Sequence, residues 1–303
     1  MDIGAISTKG VILDREGQLV AEAYLWTEGD PMGAVKHLLT DLFGQLSAEA
    51  QVIAVGTTGS ARRLIGAMLA ADAVKNEITA HAVGTLSRHP LVRTILEIGG
   101  QDAKIILLKN QIVSDYAMNT LCAAGTGAFL SAQAKRLGLG IEELGEIALH
   151  SEMPARLSAR CTVFAESDLI HKAQVGYSKA DLVAGLCESV VKNYLNNVGK
   201  GKEIASPVVF QGGVSRNKGV VAAFEKELGC EVTVDEKGHL MGAVGAALLA
   251  QKTPKRTEPF HVGLMQADFE TKAITCQKCL NSCEIVEFYR DGERLDYWGN
   301  RCG

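Results

Sequence analysis

The chain has 303 residues, of which 47% are hydrophobic and 22% charged, and its formal net charge is −4. That balance suits a globular protein long enough for two domains. It gives no electrostatic support to a nucleic-acid or acidic-membrane partner, and no apolar run approaches the roughly 20 residues of a membrane helix. The start, Met1-Asp2-Ile3-Gly4, has no basic region and no apolar signal core, so a cytoplasmic protein is the expectation.

The chain opens on a hairpin. A turn carrying Asp2, Gly4, Ser7, Thr8 and Lys9 leads into strands over 10–13 and 18–22. Such a turn presents backbone N–H groups and a cation to phosphate. Pro31–Gln45 reads as an amphipathic helix with Val35, Leu38, Leu39, Leu42 and Leu46 on one face. Val52–Val55 reads as a buried strand that runs into Gly56-Thr-Thr-Gly59, and helices follow over 61–71 and 76–86. Glu77 and His81 lie at i, i+4 on the second of these, a spacing open to a metal, a proton relay or a plain helix cap.

The opening pattern then returns. Asp2-Ile-Gly4 with Lys9 is echoed by Glu97-Ile-Gly99-Gly100-Gln101-Asp102 with Lys104, followed by strands over 105–108 and 112–114. A hairpin repeated in this way suggests two similar domains facing each other across a nucleotide cleft.

Next comes Cys122-Ala-Ala-Gly125-Thr126-Gly127, then an apolar helix over 129–137, and far along the chain Cys161-Thr-Val-Phe-Ala-Glu166-Ser167. A four-iron cluster wants four thiolates. Two chains with two cysteines each would supply them across a dimer axis, whereas two buried small hydrophobes would be the plain alternative. Further helices are predicted over 163–172, 178–198, 218–228 and 238–250, with Ser178 as an N-cap and Asp181 three residues on. Between strand 207–210 and its helix sits Gln211-Gly212-Gly213-Val-Ser-Arg-Asn217, a glycine pair that lets backbone approach a ligand. Cys187 and Cys230 read as structural.

A polar linker with two prolines, residues 251–259, leads to a different kind of segment. Cys276-Gln-Lys-Cys279-Leu-Asn-Ser-Cys283 precedes a hairpin with an Asp291-Gly292 turn, and Cys302 follows it. Those cysteines suit a second metal centre, either zinc or an iron–sulfur cluster.

Taken together these motifs resemble the acetate kinase/sugar kinase/heat-shock/actin (ASKHA) superfamily. Within it, the two cysteine motifs resemble the BadF/BadG/BcrA/BcrD-type ATPases, which include the activators (component A) of 2-hydroxyacyl-CoA dehydratases and the ATP-binding subunits of benzoyl-CoA reductases. The resemblance covers residues 2 to about 250. It implies an α/β, actin/hexokinase-like fold of duplicated ribonuclease-H-like domains: residues 1–92 completed by helix 238–250, then 93–237, then the Cys-rich extension 251–303.

The resemblance also implies an ATPase coupled to electron transfer: a homodimer whose Cys122 and Cys161 share one [4Fe-4S] cluster between subunits. Asp2, Gln101 and Asp102 would be catalytic, the two aspartates holding Mg²⁺ through water. Gly4, Ser7, Thr8, Lys9, Gly99, Gly100, Gly125, Thr126, Gly127, Glu166, Gly212, Gly213 and Asn217 would contact ATP or ADP. Implied partners are a donor such as ferredoxin or flavodoxin and an iron–sulfur acceptor: a dehydratase, a benzoyl-CoA-type reductase or a double-cubane cluster protein. Ala5 and Ile6 depart from the small hydroxyl residues usual in the first phosphate turn. The rival expectations are a sugar kinase of the same superfamily, of the N-acetylglucosamine kinase type, and a nucleotide-dependent regulator with a zinc knuckle.

Overall fold

The computed structural model describes residues 1–119, 122–253, 258–260, 263 and 267–302. The chain divides into two compact units, Met1–Ala80 with Gly242–Gly303 and His81–Met241.

The first unit begins with an antiparallel sheet of β1 (Asp2–Ile3), β2 (Ser7–Leu13) and β3 (Leu19–Trp26). Helix α1 (Pro31–Phe43) packs on it through Val35, Leu38, Leu39 and Leu42. Its start is set by Asp30, whose carboxylate accepts the Gly33 N–H at 2.9 Å, and by Pro31 in the first turn. Residues 52–55 were expected as a strand but pair differently. The Val55 N–H goes to the Asp72 carboxylate at 2.7 Å, so the N–H a ladder would use is taken. Only β4 (Gly56–Thr57) forms there, followed by α2 (Arg62–Met68) and parallel β5 (Ala73–Val74).

Helix α3 spans Glu77–Arg88. The second unit is a mixed sheet ordered β10-β9-β6-β7-β8, built from β6 (Thr94–Ile98), β7 (Ala103–Lys109), β8 (Ile112–Asn119), β9 (Val208–Gln211) and β10 (Val232–Val234). Its helices are α4 (Gly127–Leu137), α5 (Leu144–Leu149), α6 (Thr162–Gln174), α7 (Lys179–Asn197) and α8 (Lys218–Leu228). The expected Ser178 cap is present, accepting the Asp181 N–H at 3.1 Å. Helix α7 runs through the core, where Tyr194 meets Phe224 edge-on at 5.3 Å. Cys187 is buried there, and burial pushes its thiol up to about 12, which keeps it protonated and structural.

The predicted helix 238–250 starts as a 3-10 turn over Gly238–Leu240 and becomes α9 at Met241–Gln251. Residues 254–257 of the predicted linker lie outside the described residues. The C-terminal segment has one strand more than the sequence suggested: β11 (Phe269–Thr275), β12 (Glu284–Arg290) and β13 (Glu293–Trp298) form an antiparallel sheet. Asp291 and Gly292, with φ of +51° and +83°, make the predicted turn. Among the described residues no helix is long and apolar enough to cross a membrane.

Candidate functional site

The first turn is built by register. Asp2 pairs with Lys9 across β1 and β2, and the Gly4 N–H closes the turn on the Ser7 carbonyl at 3.0 Å. Lys9 Nζ lies 3.2 Å from the Asp2 carboxylate. Thr8, expected at the nucleotide, is fully buried, with its hydroxyl 2.9 Å from that of Thr27. The Thr27 hydroxyl donates to the Gly4 carbonyl at 2.8 Å. Thr8 and Thr27 therefore prop the turn from behind. Asp2 bridges to Thr58, whose buried hydroxyl has no partner among the described residues.

The second turn repeats this plan. Glu97 pairs with Lys104, and the Gly99 N–H closes on the Asp102 carbonyl at 3.0 Å. Lys104 is 2% exposed and bridges Glu97 at 3.0 Å and Asp102 at 2.9 Å. Asp102 retains 31% side-chain exposure, so its carboxylate is aimed by Lys104 yet open to solvent. Tyr194 of α7 donates to the Lys104 carbonyl at 2.6 Å. Burial, followed by the nearby Glu97 charge, holds the Tyr194 hydroxyl well above its ordinary value, so it stays a donor. Gln101 sits exposed at the turn's tip.

Behind this turn stands the cysteine segment. The Gly99 and Gly100 carbonyls accept from the N–H groups of Gly127 and Ala128 at 2.9 and 2.8 Å. They thus satisfy donors that the start of α4 would otherwise leave orphaned. Gly127, expected to contact ATP through its backbone, spends its N–H on the turn instead. Thr126 is buried, and its hydroxyl donates to the Ala123 carbonyl at 2.7 Å. Gly125 is buried where a side chain would collide with Asn193, so it serves close packing. These three residues support the turn from below.

Cys122 precedes the 3-10 turn Ala123–Gly125, and Asn119 clamps its backbone on both sides, at 3.0 Å to the N–H and 2.8 Å to the carbonyl. Cys161 is the N-cap of α6. Both thiols are free and half-buried. Asn193 of α7 joins the two segments: its amide donates to the Ala159 carbonyl at 2.6 Å and lies 3.9 Å from Cys122 Sγ. Glu166, also expected at the nucleotide, is engaged elsewhere. It pairs with Arg136 at 2.7 Å and accepts from Gln133 at 3.3 Å, tying α6 to α4.

The predicted glycine pair divides its roles. Gly212 has φ +88°, and a side chain there would overlap the Ile98 carbonyl and the Glu97 carboxylate. Gly213 is exposed and faces open space. Asn217 caps α8 through its carbonyl oxygen, 3.1 Å from the Val220 N–H, while its buried amide nitrogen lacks a partner among the described residues. An orphaned buried donor suits a polar ligand. His81 meets Gln211 at 2.8 Å.

The BadF/BadG/BcrA/BcrD ATPase family profile matches residues 1–250. The chain belongs to that family. It is 37% identical over 262 residues to the 2-hydroxyisocaproyl-CoA dehydratase activator of Clostridioides difficile, covering 85% of this chain and 96% of the relative. The solved structure of that activator with bound ADPNP aligns at TM-score 0.74, over 82% of this chain and 92% of its own. The Acidaminococcus fermentans (R)-2-hydroxyglutaryl-CoA dehydratase component A aligns at TM-score 0.75 with 33% identity, over 83% and 96%. A ROK family glucokinase from Streptomyces griseus, at TM-score 0.51, 13% identity and 83% and 98% coverage, shares the fold alone.

The supports behind the glycine and cysteine motifs were not legible in sequence. Lys104 was visible only as part of a repeated spacing. Thr27 and Asn193 carry no local signal, because each is set by a partner far along the chain.

Proposed function

We propose that this family member hydrolyses ATP to drive electron transfer at low potential to a partner iron–sulfur enzyme of the 2-hydroxyacyl-CoA dehydratase class, fed by a ferredoxin- or flavodoxin-type donor. The observation that carries the reading is the short bonded route between the second phosphate turn and both thiols. Gly99 and Gly100 hold the start of α4, Glu166 ties α4 to α6, and Asn193 links the Cys122 loop to the segment before Cys161.

The donor set fits a shared cluster. Cys122 and Cys161 are free, partly exposed and placed at the starts of helical segments. One chain offers two such thiols here, so a second copy would complete the set, giving a homodimer. Val163 and Phe164, 66% and 63% exposed just after Cys161, suit burial against that copy. A cluster held by these residues would supply one-electron storage at low potential.

On the nucleotide side, Asp2 and Asp102 would hold Mg²⁺, which shields phosphate charge. Lys9 and the N–H groups of the two turns bind phosphate oxygens. Asp102, aimed by Lys104, orients the attacking water, with Gln101 beside it, and Gly213 and Asn217 receive the nucleoside. When the phosphate departs, the Gly99–Asp102 turn relaxes and its carbonyls shift α4, changing the surroundings of both thiols.

The test is anaerobic purification of wild type, Cys122→Ala and Cys161→Ala. In a Cys279→Ser background, which keeps the C-terminal cysteines from contributing, each variant is expected to lose the visible iron–sulfur absorbance and donor activity while retaining Mg²⁺-dependent ATP binding. A variant with full iron and normal electron transfer overturns the reading.

A further inference from the structure

The family match ends at residue 250, and the sheet beyond it carries its own chemistry. The sheet is anchored in the core of the first unit: Phe288 is fully buried, stacks on Phe269 at 5.5 Å and meets Trp298 at 6.5 Å. Antiparallel pairing then fixes which loops share an edge. Thr275 at the end of β11 lies opposite Glu284 at the start of β12, and Val286 lies opposite Trp298 at the end of β13.

That one edge carries the loop with Cys276, Cys279 and Cys283 and the end of the strand that leads on to Cys302. The connecting loop is tight: the Cys276 N–H donates to the Cys283 carbonyl at 2.8 Å and the Ser282 N–H to the Cys279 carbonyl at 3.2 Å. Ser282 takes φ +42° to complete the bend. The last strand returns to the same place, since Gly299 packs so closely on the Glu284 carbonyl that a side chain would overlap it. Cys302 is three residues further on, within about 10 Å of reach for an extended chain.

Cys283 is buried and Cys276 half-buried, but packing does not account for the other two thiols. Cys279 and Cys302 are exposed, and all four are free. Their side chains do not stand as a finished ligand set, for among the described residues no three His, Cys, Asp or Glu side chains form one. Closing the loop onto a metal would be the ordering step, as in small domains where binding and folding are one event.

We propose that Cys276, Cys279, Cys283 and Cys302 bind one metal centre per chain as four thiolates, separate from Cys122 and Cys161. The spacing Cys-x2-Cys-x3-Cys puts three thiolates on one knuckle, and the returning strand brings the fourth. Thiolates select zinc or cluster iron over hard cations such as magnesium and calcium.

The experiment measures metal in the anaerobically purified full chain carrying Cys122→Ala and Cys161→Ala, which removes the thiols of the proposed shared cluster. About one zinc, or about four irons, per chain is expected to remain. Adding either Cys279→Ser or Cys302→Ser is expected to abolish it, with circular dichroism confirming that the variants stay folded. Both positions are exposed, so the substitutions leave the core intact. Zinc makes the centre a structural clasp, and iron makes it a second redox site. No stoichiometric metal, a disulfide among these cysteines, or metal indifferent to both serine changes overturns the proposal. The result is independent of whether Cys122 and Cys161 hold a cluster, because they are absent from the protein tested.

Discussion

The two phosphate turns share a register and a closing hydrogen bond, yet they are held differently. In the first, Lys9 is 16% exposed beside Asp2, and Thr27, just after β3, braces the turn. In the second, Lys104 is sealed at 2% exposure between Glu97 and Asp102, and α7 and α4 both bond to the turn. The comparison separates a turn held by a pair from one held by a buried triplet. A buried ion triplet is costly to break, and a pair that water reaches on its lysine side is less so. Ser7 in the first turn and Asp102 in the second accept the equivalent closing hydrogen bond, so a carboxylate stands in one turn where the other has a hydroxyl.

The largest expected effect comes from breaking the buried triplet. Lys104→Met leaves Glu97 and Asp102 without their cation and should cost about 3–5 kcal/mol of unfolding free energy. Lys9→Met should cost less, since water reaches the Lys9–Asp2 pair through a lysine that is 16% exposed. Urea denaturation measures both, and equal losses would erase the distinction between the turns.

Next in size is the catalytic asymmetry. Asp102→Asn should lower Mg²⁺-dependent ATP hydrolysis by about 10²-fold or more, since it weakens the group that orients water. Ser7→Ala at the matching position should lose far less. Steady-state rates at saturating ATP check this, and equal losses would make both turns catalytic.

The smallest effect tests the support supplied by α7, whose first turn is organised by Asp181. Hydrogen bonds from the hydroxyls of Ser151 and Ser178 and from the Met153 N–H hold its carboxyl down at about 2, from an ordinary 3.8. A carboxyl depressed in the fold stabilises it above the unfolded value, and that contribution is lost as pH falls toward 2. Wild type and Asp181→Ala should therefore differ in urea midpoint at neutral pH and converge between about pH 4 and pH 2. A difference that persists at the acid end would assign the effect to something other than this ionisation.

What was legible in sequence follows from how local the cause is. The paired turns could be read because Gly and Lys recur at fixed spacing before apolar strands, and the α7 start because Ser178 and Asp181 form a local cap. Residues 52–55 could not, since the Asp72 carboxylate that takes the Val55 N–H lies outside that segment. Strand β11 is exposed along nearly its whole length and shows no alternation of apolar residues to betray it. At the site, Thr8 and Thr126 are buried against Thr27 and Ala123 and Glu166 pairs with Arg136, partners that no local pattern announces. Sequence shows which groups exist near a motif; packing decides which of them face the ligand.

The most direct measurement is the electron paramagnetic resonance spectrum of the reduced protein with and without Mg-ATP, taken in the Cys279→Ser background so that the C-terminal thiols do not contribute. The account predicts an iron–sulfur signal that changes on nucleotide addition and is absent when Cys122→Ala is introduced. A signal indifferent to nucleotide, or one that survives loss of Cys122, would contradict it.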